Sequence, residues 1–221
     1  MGVYQCSHEE NFEWLNHVDD GKTAVKIANP KTLEFQVVRT TLVPGLLKTI
    51  RENRSHALPI KIFETSDVVF KDTTRERQAR NERHAAAVWC NKTAGFEVVH
   101  GMLDRAMKML EIPRISNQDT SAPTGYYIRE TSGECENLPR SSRNADGVTD
   151  DMYFPGRAAT IFFRPPPNHP NKGDSDIQIG SLGILHPTVL EKFEINFPCS
   201  ALEFTLEPFK KQMQKVWTNE D

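Results

Sequence analysis

A chain of 221 residues, 38% hydrophobic and 26% charged, is long enough to bury one substantial core and is most simply a single domain. Lys plus Arg total 27 against 30 Asp plus Glu, a formal net charge of -3, which argues against a free-standing non-specific nucleic-acid binder with its basic patch and high pI. No apolar run approaches the ~20 residues that span a bilayer, and the N-terminus lacks the apolar core of a secretory signal, so a soluble intracellular protein is expected.

Ser7 with Glu10 has the spacing of a capping box and predicts a helix through about His17, with Phe12 and Leu15 on its buried side. Asp19-Asp20-Gly21 is a turn signal, and Thr23 to Ala28 reads as a short extended run. The stretch from Asn29 to Ile50 joins an extended polar entry to a helix. Pro44 lies in its first turn, where a missing N–H costs nothing, and Leu46, Leu47 and Ile50 share one face. This helix is expected to end near Arg54.

Pro59 to Phe70 reads as a strand, with Thr65-Ser66-Asp67 as a kink or bulge between two apolar runs of period two. Lys71 to Arg83 is polar and predicts a hairpin loop or frayed helix. His84 to Cys90 predicts a buried strand pairing antiparallel with the first. Gly95 opens a strong helix: Phe96, Val99, Leu103, Ala106, Met107 and Leu110 recur every three or four residues, and Pro113 follows its end. Tyr126 to Thr131 is a short strand. Residues 132–151 and 165–175 are polar or proline-rich and are expected to be loop insertions.

Phe154-Pro155-Gly156-Arg157 predicts a turn into the strand Ala158 to Phe163. Ile177 to Leu185 is a strand containing Gly180 and Gly183, and Pro187 starts a short helix, Thr188 to Phe193. In Ser200 to Leu206, Leu202, Phe204 and Leu206 share one face. A polar tail, 210–221, has Val216 and Trp217 as its apolar anchors. One helix stands between strand groups rather than after every strand. That pattern predicts an α+β domain, a mostly antiparallel sheet with helices on one face, over a doubly wound parallel sheet.

Chemistry-bearing motifs are sparse. Cys6, Cys90, Cys135 and Cys199 form no C-x-x-C pair, which argues against zinc; they read as small core residues, and nothing in their spacing forces a disulfide. Seven histidines fall in no metal-ligand spacing. His84 has no carboxylate placed beside it by sequence and reads as an edge or core residue. Gly180 to Pro187 resembles a strand entering a helix N-terminus but lacks the Lys-Ser/Thr of a phosphate loop, so its glycines read as close backbone approaches and His186-Pro187 as a helix cap. Arg157 is aimed by its turn to one end of the sheet, where it can pair with an acidic group or a partner chain.

The wording of several segments says more than their physics. Val37-Val-Arg39-Thr-Thr-Leu-Val-Pro44-Gly-Leu-Leu, Ile60-Lys-Ile-Phe63-Glu64-Thr-Ser-Asp67, Asn91-Lys-Thr-Ala-Gly95-Phe-Glu, Gly101-Met-Leu-Asp104-Arg105, Phe154-Pro155-Gly156-Arg157 and Leu182-Gly183-Ile-Leu-His186-Pro187 occur in an order that resembles the beta subunit of cytosolic phenylalanine–tRNA ligase, over residues 4 to 209. The resemblance implies a catalytic-like module with a class II aminoacyl-tRNA synthetase-like antiparallel sheet flanked by helices. It also implies an alpha2-beta2 assembly in which the alpha subunit carries the active site and uses ATP and magnesium to attach phenylalanine to its tRNA. The expected single module is 1–209, with the family's long first helix missing, so the chain is expected to be a piece of a longer polypeptide.

Departures from the class II pattern imply a module with no catalytic residues and no cofactor of its own. Lys61-Ile62-Phe63-Glu64 lacks the arginine that grips ATP, and Ser200 to Leu206 lacks the glycine-rich segment ending in arginine. The expected role is structural: packing on the alpha subunit in the cytoplasm, with the phenylalanine tRNA reached through the assembled enzyme and no membrane contact. Arg39, Thr40, Thr41 and Arg157 are the subunit-interface candidates. The alternatives are a free-standing paralogue with an amino-acid or nucleotide pocket lined by Arg157 and Gly180 to Pro187, and a small RNA-binding adaptor, which the acidic balance disfavours.

Overall fold

The computed structural model describes residues 5–118, 122–130, 152–167, 169 and 176–210, and of Leu33 the main chain only. The expected insertion at 132–151, most of that at 165–175, the tail beyond Lys210 and Cys135 therefore lie outside the described residues.

In chain order the elements are β1 (Gln5–Cys6), α1 (His8–Asn11), β2 (Val37–Val38), α2 (Val43–Glu52), β3 (Ile60–Lys71), β4 (Ala79–Cys90), α3 (Phe96–Met109), β5 (Gly125–Glu130), β6 (Tyr153–Arg164), β7 (Ile177–Leu185), α4 (Pro187–Lys192) and β8 (Cys199–Thr205). Among the described residues β3 to β8 form one sheet in the order β3-β4-β8-β7-β6-β5, every pair antiparallel, with β1 and β2 as a separate ribbon. This is the α+β class expected from the pattern of elements.

The layering differs from expectation, because helices pack on both faces of the sheet. On one face α2 and α4 bury Leu46, Leu47, Ile50, Val189 and Leu190 against Val68, Ala86, Val88 and Ala201. On the other, α3 buries Val99, Leu103 and Met107 against Ile161, Leu182, Leu202 and Phe204. The reason lies in β8. Between its large residues stand Cys199, Ala201 and Glu203, all buried, so the strand faces protein on both sides. The shared face of Leu202, Phe204 and Leu206 identifies one buried side, and the order of elements does not report that the other is covered too.

Local signals set the helix ends. Ser7 and Glu10 make the reciprocal capping box, but α1 stops at Asn11; a 3₁₀ turn, Glu13–Leu15, follows and Asn16 adopts a left-handed conformation. Phe12 and Leu15 are nonetheless buried as expected. Pro44 occupies the first turn of α2, and Gly95 is the N-cap of α3. His186 caps α4 by accepting from the Thr188 N–H at 3.2 Å.

Four expectations about the strands differ from the structure. The run Thr23 to Ala28 contributes a single bridge, Lys26 to Val37, rather than a strand. β3 pairs with β4 residue for residue from Ile60↔Cys90 to Lys71↔Ala79, so Thr65–Asp67 holds no bulge, and Ile60, Ile62, Val68 and Phe70 all lie on one face. The polar residues Arg80 to Arg83 belong to β4, which leaves 72–78 as the connection. The expected turn at Phe154–Arg157 sits inside β6 as a register break between Tyr153 and Ala158, with Gly156 at φ 68°.

Candidate functional site

β8 carries one acidic side chain, Glu203, into the layer beneath α2. Its register partner on β4 is Ala86, and His84 lies opposite Thr205, so the two side chains meet diagonally on the same face. His84 Nδ1 is 2.7 Å from Glu203 Oε1, and its Nε2 is 3.6 Å from Glu82 Oε2. The Thr41 hydroxyl donates to Glu203 Oε2 at 2.5 Å, and the Leu42 N–H donates to both carboxylate oxygens at 3.2 Å. Glu203 is 9% exposed.

Burial pulls the His84 imidazole down, but its hydrogen bond to Glu203, the close approach of Glu82 and the negative charge of both outweigh it and push its pKa up from 6.5 to about 9. Glu82 is correspondingly held below the usual carboxylate range by its close contact with His84. At neutral pH the ring is therefore an imidazolium clamped between two carboxylates. Such a ring has no lone pair with which to accept a proton, so it is no general base. Glu203 in turn spends its oxygens on the chain's own donors. The cluster ties β4, β8 and the start of α2 together, with His84 Nε2 buried and facing Glu82 only at ion-pair distance.

Arg39, Thr40 and Thr41 are consumed in the same region. Arg39 Nη1 pairs with Glu64 at 2.9 Å, its Nε donates to the Asp67 carbonyl at 3.2 Å, and its own carbonyl accepts from the Val69 N–H at 3.0 Å. Thr40 is held by Asn11, whose Nδ2 donates to the hydroxyl and whose Oδ1 accepts from the Thr40 N–H, both at 3.0 Å. These three residues lace the N-terminal segment onto the edge and face of the sheet.

Arg157 is elsewhere. It is exposed, at a cleft of about 300 Å³ beside the start of α3, with Glu97 and Glu130 at the rim and Phe96, Ile128 and Ile184 below. The structure thus brings Arg39, Thr40 and Thr41 together and does not bring Arg157 to them. Sequence reasoning missed Glu203 and Glu82. Their signal is a lone carboxylate inside the otherwise apolar SALEFTL and another in the polar stretch expected to be a hairpin loop or frayed helix.

Exposed apolar side chains are also present among the described residues. Val98, Met102 and Met109 recur along the outward side of α3, and Phe63 on β3 is 74% exposed. No group of three or more metal-ligating side chains is present among the described residues, nor a helix long and apolar enough to cross a membrane.

Comparison with known proteins gives this geometry its context. The chain is 50% identical over 206 residues to the phenylalanine–tRNA ligase beta subunit of Schizosaccharomyces pombe, covering 93% of the chain and 31% of the relative. It is 44% identical over 204 residues to the human beta subunit, covering 92% of the chain and 29% of the relative. The Arabidopsis thaliana beta subunit, named cytoplasmic, is 39% identical over 206 residues, 91% of the chain and 30% of the relative. The chain thus spans about 30% of the length of these relatives. A family model described as the phenylalanyl tRNA synthetase beta chain CLM domain matches residues 3–206, and the chain belongs to that family.

Proposed function

We propose that this chain is a structural, non-catalytic module of a phenylalanine–tRNA ligase beta subunit that packs on a companion alpha subunit. In this reading the parent enzyme is an alpha2-beta2 assembly in the cytoplasm. Its alpha subunit uses ATP and magnesium to attach phenylalanine to tRNA, and the antiparallel sheet of the present chain is a degenerate class II synthetase core.

The observation that carries the reading, beyond family membership, is the closed polar cluster. His84 is protonated and doubly held, and both Glu203 oxygens are satisfied by Thr41, Leu42 and His84. The α2 entry covers the sheet face around this cluster, whose polar groups are turned on the chain itself. The absent arginines at Lys61–Glu64 and Ser200–Leu206 point the same way. The relatives carry the beta-subunit name, which leaves a free-standing paralogue without support.

Arg39, Thr40 and Thr41 then act on the interface by positioning the segment before α2, whereas Arg157 and the α3 stripe are outward and available for direct contact. Co-purification with the alpha subunit of the same source tests this. Stable association is expected, weakened by Met102→Asp or Arg157→Glu, both exposed positions whose change leaves the fold intact. Tight binding of ATP, or formation of phenylalanyl-adenylate by this chain alone, sinks the proposal. So does a folded monomer that ignores the alpha subunit.

A further inference from the structure

Cys90 is the last residue of β4 and Cys199 the first of β8, far apart in sequence yet directly opposite in the strand register. The ladder bonds on either side define the pair. The Asn91 N–H donates to the Pro198 carbonyl at 3.2 Å, and the Leu206 N–H donates to the Arg83 carbonyl at 2.7 Å. Odd-numbered β4 residues therefore carry the β4–β8 hydrogen bonds, and Cys90 with Cys199 is a non-hydrogen-bonded pair. Pairs of that kind have the closer Cα separation, about 4.5 Å, which falls inside the range a disulfide bridges.

Both thiols are free and buried, and the Cys199 thiol donates to the Phe197 carbonyl at 3.5 Å. The neighbouring Cys90 sulfur, followed by burial, holds Cys199 above the ordinary thiol range, while the Cys199 thiol lowers Cys90. Cys90 is thus the sulfur that ionises first, with a proton-bearing partner beside it.

We propose that Cys90 and Cys199 form a reversible cross-strand disulfide, with hydrogen peroxide as the oxidant. The Cys90 thiolate attacks a peroxide oxygen and the O–O bond breaks. The departing hydroxide takes up the thiol proton as water and leaves Cys90 as a sulfenic acid. The Cys199 sulfur then attacks the Cys90 sulfur. The S–S bond forms, the S–O bond breaks, and hydroxide leaves with the Cys199 proton as a second water. The two thiols give up two electrons and two hydrogens, and peroxide is reduced to two waters.

Both residues are buried just inside the last β4–β8 ladder bond, so in this proposal the oxidant reaches them through local opening of that end of the strand pair. Next to Cys199, the Ser200 hydroxyl accepts from the Gly95 N–H at 3.1 Å, so the bond would fix the strand pair beneath the start of α3.

Treatment of the purified chain with hydrogen peroxide, alkylation of the remaining thiols and non-reducing digestion with mass spectrometry tests the proposal. The expected product is a linked Cys90–Cys199 peptide, lighter by two hydrogens and returned to the dithiol by dithiothreitol. In Cys199→Ala, checked for folding by circular dichroism, Cys90 should stop at a sulfenic acid that dimedone captures. Recovery of Cys90 and Cys199 as alkylated thiols while Cys6 or Cys135 oxidises overturns it. A link that appears only after denaturation does the same. The wild-type result decides even if the variant does not fold.

Discussion

Glu203→Gln keeps the size of the side chain and removes its charge, which isolates the electrostatic part of the buried cluster. In the wild type His84 rises from 6.5 to about 9. At about 1.4 kcal/mol per tenfold change in proton affinity, that rise corresponds to about 3 kcal/mol of stability. Glu203 and Glu82 share it. Glu203 is the nearer at 2.7 Å against 3.6 Å, so about 2 kcal/mol of the total is assigned to it.

The sign follows from the proton. Between 6.5 and about 9 the folded protein holds a proton that the unfolded chain has released. The cluster's contribution is therefore complete below 6.5 and declines as pH rises through that window. Urea unfolding followed by circular dichroism, on both proteins at matched pH, reads the difference. The wild type should exceed Glu203→Gln by about 2 kcal/mol near pH 6, with the gap narrowing toward about pH 9.5. A gap that is constant over that range, or one that widens with pH, would refute the assignment of the imidazolium to this pair.

Other substitutions test the packing. Gly180→Ala places a Cβ 2.2 Å from the Glu203 carbonyl oxygen and 2.6 Å from the Phe204 Cα, backbone atoms that cannot swing aside. A loss of about 3 kcal/mol or more is expected by denaturant melt, with retention of wild-type stability as the contrary result. Gly101→Ala, on the exposed side of α3 with nothing within 4 Å of its new Cβ, should instead gain about 0.5–1 kcal/mol in the same assay. Leu47→Ala empties a fully buried position of α2 and should cost about 2–5 kcal/mol; a smaller effect would show that α2 contributes little to the core.

The helices show how much of this fold is written locally. Pro44 and the spacing of Leu46, Leu47 and Ile50 determine α2, and six apolar residues at intervals of three and four determine α3, because a 3.6-residue period is a property of neighbours in sequence. The strands of the sheet were readable for the same reason, and so was the α+β class. The resemblance to beta subunits, carried by short wording in order, was legible without any coordinates.

What local sequence left open was every relation between distant residues. Whether β8 faces solvent on one side depended on α2 and α4 arriving over Ala201 and Glu203, and no periodicity within SALEFTL reports that. Glu203 became the partner of His84 and Thr41, and Cys199 the neighbour of Cys90, only when antiparallel register set β8 beside β4. A strand's amino acids specify which side each points to. Which strand lies alongside, and with what offset, is decided by the burial of all the layers at once, and the buried charge cluster exists only at that level.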